Sequence, residues 1–391
     1  MFKRVRLVGQ IAVLVIAHLL VSATALVFAQ QAPVVGFELG QGLHLVAPDS
    51  SMDLKFSVRF QNVFSAIQPF EDDGGEYATE VRRLRFMASG FFYDPKLTWS
   101  VHHTLDRGQS RLFMAYMDYK LGTRTSIGFG QIKLPGNREF MVSSGRLLMV
   151  DRPQVSLRFM LFFDKGIYFK TVQPLGKAQW KFYAAFSGGE GPNTSIDHAG
   201  YNYTARFELL PFGAFSSKGD HTGPDLAREE SFKLSLGGAF NFDDEAVRVD
   251  GERGAFITDR NSDLTTWFAD AIMKYKGLSL MAEYYHRMSS NTLPADVDTS
   301  PVVFEGRGYV AEGGLLLGNK NMLSARFERI LPSHQIDGFR ASQTEALIGF
   351  SRFVKGHVFK LQVEGGVRHQ RHIADGDITS GVFRGQLHIN L

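Results

Sequence analysis

The sequence predicts an all-β chain, an antiparallel transmembrane β-barrel of about sixteen strands with one loop folded inward. Three observations lead there. Short segments with period-two alternation recur along nearly the whole chain. The connections between them alternate in length, long then short. The final residues, Gly381 to Leu391, keep the alternation to the carboxy terminus. Strand side chains alternate faces, so Leu387, Ile389 and Leu391 form one greasy face, with Arg384, Gln386, His388 and Asn390 on the other. Termini usually fray. A barrel instead needs its last strand to close the sheet against the first, because lipid offers no partner for an open edge.

The amino terminus comes first. Lys3, Arg4 and Arg6 precede an uncharged apolar run, Ile11 to Ala29, and Val27-Phe28-Ala29 has the small-residue spacing of a signal-peptidase site. Residues 1–29 are expected to be a removed secretory signal; a retained membrane helix is the alternative, since the run has nearly the length to span. Removal takes three basic residues from a formal charge of +3, leaving about zero. Net charge therefore provides no case for nucleic acid. The absence of cysteine rules out disulfides and thiolate metal sites and suits an exported chain. The 34 Phe and 40 Gly in 391 residues fit many strands with apolar outer faces and tight turns. Past the signal, no apolar stretch is long enough for a membrane helix.

Residues 30–51 read as a short leader and 52–391 as one barrel domain. Strands are expected near 53–64, 79–93, 96–106, 111–121, 124–134, 164–174, 177–187, 201–210, 230–242, 264–275, 278–288, 306–317, 322–331, 341–353, 357–370 and 381–391. The first is the clearest: Leu54, Phe56, Val58 and Phe60 alternate with Lys55, Ser57, Arg59 and Gln61. Connections after odd-numbered strands are mostly long, such as Asp243 to Asp263 and Ser289 to Glu305. Those after even-numbered strands are mostly short, such as Asp94-Pro95 and Lys276-Gly277. This is the layout of outer-membrane barrels, and a soluble sandwich would not produce it. Asp106 to Ser110 is short where a long loop belongs, and Pro211 to Glu229 is long where a turn belongs. Pro135 to Phe163 mixes Arg138, Glu139, Arg146, Asp151, Arg152 and Arg158 with Phe140, Leu147, Leu148 and Val150. A solvated loop would be rich in Ser, Asn and Gly, so this one is expected to fold back into the barrel.

Several blocks resemble the phosphate-selective porin O and P family of Gram-negative outer membranes. They are Val81-Arg82-Arg83-Leu84-Arg85 with Ser89-Gly90, Ala115-Tyr116-Met117-Asp118-Tyr119, and Gly130-Gln131-Ile132-Lys133-Leu134-Pro135. Glu139, Ser143-Ser144 and Met149-Val150-Asp151-Arg152 follow, then Phe186-Ser187-Gly188-Gly189-Glu190-Gly191 with Asn193, and Ala205-Arg206. The resemblance covers most of residues 53–210; the second half matches in strand rhythm alone. It implies a sixteen-stranded barrel, usually a homotrimer in outer-membrane lipid, assembled through its carboxy-terminal strand by the barrel-assembly machinery. It also implies passive diffusion of small hydrophilic solutes, anions such as phosphate above all. Two departures stand out: Leu391 where such barrels usually end in Phe, and Gly136-Asn137 where Phe-Gly commonly follows the loop's proline.

An arginine facing lipid near the midplane costs about 2–4 kcal/mol, so strand arginines should face the lumen. Arg59, Arg83, Arg85, Lys133, Arg138, Arg146 and Arg152 are the expected pore-lining residues, since guanidinium groups match phosphate and carboxylate oxygens. Arg82 falls on the lipid-side register. Asp106, Asp118, Glu139, Asp151 and Glu208 could pair with these cations and leave a nearly neutral pore. His102-His103 point to opposite faces and cannot share a metal. Ser143-Ser144 lack His and acid partners in a recognisable order. Trp99, Trp180, Trp267 and Tyr284-Tyr285 suit interfacial girdles. No catalytic, cofactor or metal site is expected. The alternatives from other classes are a barrel enzyme, such as a lipid-acting hydrolase, and a structural or adhesive barrel.

Overall fold

The computed structural model describes residues 33–195, 200–257, 260–294, 301–372 and 376–391; the expected signal, 1–29, lies outside them. A small hairpin, β1 (Val34–Glu38) and β2 (Gly42–Val46), occupies the leader. Sixteen barrel strands follow: β3 (Met52–Pro69), β4 (Glu76–Phe92), β5 (Leu97–Asp106), β6 (Gln109–Lys120), β7 (Thr125–Lys133), β8 (Phe163–Leu175), β9 (Ala178–Ser187) and β10 (Asn202–Leu210). The other eight are β11 (Lys233–Ala246), β12 (Ser262–Tyr275), β13 (Leu278–Ser289), β14 (Gly306–Leu317), β15 (Asn321–Pro332), β16 (Ser342–Lys355), β17 (Phe359–His372) and β18 (Gly376–Asn390). Each pairs antiparallel with its chain neighbours, and β18 pairs with β3, so the barrel is closed. Among the described residues no helix is long and apolar enough to cross a membrane. The strands cross it.

Closure differs in register from a simple pairing of 381–391 with Leu54 to Phe64. Ser380 faces Pro69 and Asn390 faces Arg59. The start of β3 is taken instead by β2, with Leu43 opposite Phe56 and Val46 opposite Asp53. The reason is length: β3 runs five residues past Phe64, so β18 slides toward the far end and the leader hairpin covers the vacated edge. Leu391 still ends against this strand, through paired backbone bonds with Val58.

The two irregular connections have separate causes. Between β5 and β6 only Arg107 and Gly108 remain, both at positive φ (51° and 75°). A two-residue turn of that kind matches strand twist and needs no longer loop. Residues 211–232, between β10 and β11, enter the barrel; Asp220, Thr222 and Asp225 there are buried.

The outer wall carries Phe207, Leu236, Trp267, Leu323, Phe327, Ile348, Phe350, Phe383 and Leu387, all exposed. This is the apolar belt that lipid requires. Tyr284 belongs to it, but Tyr285 points inward and is fully buried against Phe159 and Phe268. Adjacent strand residues take opposite faces, so only one of the pair can reach lipid.

Ile348 lies mid-strand on β16 and is 74% exposed. Ile348→Arg should destabilise the barrel by about 2–4 kcal/mol, measured as reversible denaturant unfolding in lipid vesicles.

Candidate functional site: a one-sided lumen

Residues 134–162 connect β7 to β8 and contain two short helices, α1 (Arg138–Met141) and α2 (Gln154–Phe159). The segment crosses the lumen and is bonded to walls far apart in sequence. Carboxylates accept its backbone amides: Glu364 from Val150 (2.8 Å), Glu328 from Val155 (2.7 Å), Glu252 from Phe162 (3.1 Å) and Glu283 from Glu139. Donors reach its carbonyls: Gln61 to Ser144 (3.1 Å), Arg206 to Gly136 (2.8 Å), Arg287 to Phe159 (3.0 Å) and Gln362 to Leu148 (3.2 Å). Gly136-Asn137 serves this docking. A Cβ at Gly136 would lie 2.8 Å from the Leu161 side chain, and buried Asn137 donates to Ser156 (2.7 Å) and Glu283 (3.3 Å).

The segment 211–232 enters from the opposite end and meets the loop. Gly223 N donates to Arg146 O (2.8 Å), and Arg138 donates to Asp220 O (3.0 Å). Leu226 packs on the cluster around Leu148 and Met149. Together the two insertions fill the side of the lumen walled by β10–β18, where inward residues alternate as fully buried. Along β4–β6 most inward residues are only half-buried. The open space is on that side. A cavity of about 450 Å³ lies there, lined by Arg59, Arg85, His102, Lys133, Lys170, Tyr116, Asp118, Ser143, Ser144, Phe113 and Tyr183 among others.

The seven expected residues divide on this geometry. Arg59, Arg85 and Lys133 line the cavity with mostly neutral partners. Arg59 donates to Ser143 Oγ (3.1 Å) and Ser144 Oγ (3.3 Å), and Arg85 to Ser144 Oγ (3.2 Å). Arg85 also stacks on Phe113 at 4.3 Å and sits 3.5 Å from Asp106. Lys133 donates to Phe140 O (2.7 Å). Arg146 is exposed and lines a separate cavity of about 300 Å³ with Lys274 and His357.

Arg83, Arg138 and Arg152 are not free to meet a solute. Arg83 is buried and paired with Asp151 at 2.7 Å. Arg138 is fully buried, 2.6 Å from Asp270 and 3.8 Å from Glu208. Arg152 is buried, with its donors on the carbonyls of Glu139, Phe140 and Val142. Arg82 leaves the lipid-side register because a bulge sits there: Gln61 faces Arg83 and Asn62 faces Val81, so Arg82 has no partner. A bulge re-aims its side chain, and Arg82 turns inward to Asp151 (2.5 Å).

Of the candidate acids, Asp151 and Glu208 are consumed in these pairs. Burial alone would raise the Asp151 carboxyl, but Arg83 and Arg82 outweigh it and hold the group well below the usual carboxylate range. Glu139 pairs with none of the cavity cations; burial and the neighbouring Glu312 push its carboxyl well up. His102 and Lys170 were missed by the motif reading. The signal was available for Lys170: it faces Tyr183 across β8–β9 and shares that strand face with Tyr168. Ser143 and Ser144 accept from arginines, which is no arrangement for a nucleophile. Glu208, Asp220 and His221 could reach one metal ion among the described residues. Lys181, bonded to Asp220 and 3.8 Å from Glu208, already supplies the positive charge there.

A sequence model of the phosphate-selective porin O and P family matches residues 54–314. The chain belongs to that family. The porin is therefore an outer-membrane channel, and its barrel is shared with solved structures at low identity. An anion-selective porin from Comamonas acidovorans aligns with a TM-score of 0.57 and 10% identity, covering 87% of this chain and 100% of that one. The outer membrane channel DcaP of Acinetobacter baumannii gives 0.53 and 10%, covering 88% and 99%. The trimer form of OmpT from Vibrio cholerae gives 0.53 and 14%, covering 86% and 99%. Among curated proteins, an uncharacterized protein of Aquifex aeolicus is 24% identical over 305 residues, 68% of this chain. The chain spans 64% of that relative's length.

Asp151→Asn would leave buried Arg83 without a counter-charge and half-buried Arg82 with Glu80 at 3.9 Å, at a cost of about 3–5 kcal/mol. A lower unfolding temperature and noisier single-channel current are expected. Because the carboxyl is depressed, its contribution is present above about pH 4 and is lost only as pH falls through the lowered value. The wild-type loop should hold throughout the mildly acidic range.

Proposed function

We propose that this porin passes small anions, phosphate among them, by passive diffusion along the basic side of its lumen. One observation carries the reading. The open cavity brings Arg59, Arg85, Lys133 and Lys170 together with Asp118 as its lining acid, while Glu283, Glu312, Glu328, Glu345 and Glu364 lie buried in the filled half. Charges of one sign in a narrow passage with low-dielectric walls concentrate counter-ions and repel co-ions. Arg59 and Arg85 share Ser144 as an acceptor, which sets two guanidinium groups side by side. That pair suits a tetrahedral oxyanion better than a halide.

A homotrimer is part of the same proposal, supported by the trimer form of the Vibrio cholerae neighbour. So are export by a signal over residues 1–29 and insertion by the assembly machinery through β18. No observation favours the enzymatic or adhesive alternatives.

Single-channel recording of the refolded protein in a salt gradient tests the reading. The reversal potential should indicate anion preference, and millimolar phosphate should reduce chloride current. Arg59→Ala with Lys133→Ala should lower the anion-to-cation permeability ratio several-fold. Arg83→Ala should change it little, because Asp151 already compensates that charge. A cation-selective reversal potential in the wild type would refute the proposal.

A further inference from the structure

Below the pair of Arg59 and Arg85, the walls of the basic cavity turn largely apolar. The two arginines are directly opposed across β3 and β4, and cross-strand partners share a face. Two residues on toward the short turns, Met87, His102 and Met114 face one another across β4, β5 and β6. The next tier holds Tyr116, flanked by Ser100 on β5 and Gly130 on β7, with Gly166 beyond on β8. A Cβ at Gly130 would lie 3.1 Å from Tyr116 Cβ, so glycine there keeps space beside the ring. Met87, His102, Met114 and Tyr116 line the cavity and are only half-buried. The constriction loop leaves them open to a solute.

The cations themselves rest on rings: Arg85 on Phe113 at 4.3 Å, Lys133 on Phe140 at 4.7 Å and Lys170 on Tyr183 at 5.9 Å. Inorganic phosphate presents oxygens on every side, and walls of methionine and phenylalanine offer it no donors. An aromatic carboxylate uses both kinds of wall. Arg59 spends Nη1 on Ser143 and Ser144, and a guanidinium carries five N–H donors, so donors remain for a carboxylate. A ring attached to that carboxylate reaches the next tier, because alternate residues of one strand lie about 7 Å apart. There, methionine sulfur and aromatic faces attract a second ring, and its apolar area leaves water.

We infer that the solute this passage favours is an aromatic carboxylate, a reading that rests on the anion passage proposed above and narrows its chemistry. The carboxylate sits at Arg59 and Arg85, and the ring lies against Met87, Met114 and Tyr116. Asp118, the acid of the cavity, stands one tier beyond Tyr116. Like charges repel, so Asp118 keeps the charged end of the solute toward the arginines.

The test is single-channel recording of the refolded protein at neutral pH, with chloride as carrier and benzoate, cyclohexanecarboxylate or acetate added as blocker. Benzoate should half-block the current at a concentration about fivefold below that of acetate. It should also act below cyclohexanecarboxylate, which matches its size without a π face. Tyr116→Leu should raise the half-blocking concentration of benzoate severalfold, toward that of acetate. Tyr119→Leu, on the same strand but exposed on the outer wall, should leave it unchanged. Benzoate no stronger than acetate or cyclohexanecarboxylate, in a wild-type channel with an anion-selective reversal potential, would overturn this inference and leave the anion passage standing. A cation-selective reversal potential would overturn both.

Discussion

The constraint on which the rest of this structure depends is that a loop buried inside a barrel must find partners for its backbone. A chain entering the lumen gives up water, and each unpaired amide or carbonyl there costs free energy. Here the wall supplies the partners. Glu283, Glu328 and Glu364 accept amides of residues 139, 155 and 150. Gln61, Gln362, Arg206 and Arg287 donate to its carbonyls. The lumen wall behaves toward this loop as a partner strand would, except that side chains do the pairing. An apolar core completes the attachment, with Val155, Phe159 and Leu161 packed on Phe268, Tyr285 and Val310.

Charge separation follows from that attachment. Wall carboxylates are used up in holding the loop, and the cations that neutralise them, Arg326 against Glu312 and Arg384 against Glu364, are buried with them. Cations on the other side have mostly serine hydroxyls, a main-chain carbonyl and aromatic rings instead, although Asp106 stands 3.5 Å from Arg85. The neutral partners orient a guanidinium or ammonium without cancelling its charge. A pore whose overall charge is near neutral can therefore present a basic passage.

The second insertion, residues 211–232, makes the asymmetry complete. It meets the constriction loop through Gly223, Asp220 and Leu226, so the two ends of the barrel are closed on the same side. Its length was visible in the sequence as a break in the alternation of long and short connections. Its direction was not, because nothing local distinguishes a long turn hanging free from one packed inward.

All sixteen barrel strands were legible in the sequence, because period-two alternation is a local property and a lipid-facing strand cannot tolerate charge on its outer face. That rule also assigned Arg59, Arg85 and Arg384 to the lumen. It misplaced Arg82, since a single bulged residue reverses the face of one side chain while leaving its neighbours in register. The basic character of the constriction region was likewise readable, yet which arginines stay available was not. Arg83 and Arg138 look equivalent to Arg59 by motif; their loss to Asp151 and Asp270 depends on pairings 68 and 132 residues apart. Alternation and composition determined the barrel and its faces. Tertiary structure alone decided which charges are cancelled, because ion pairing depends on proximity across the lumen, and proximity there is set by how the loop docks.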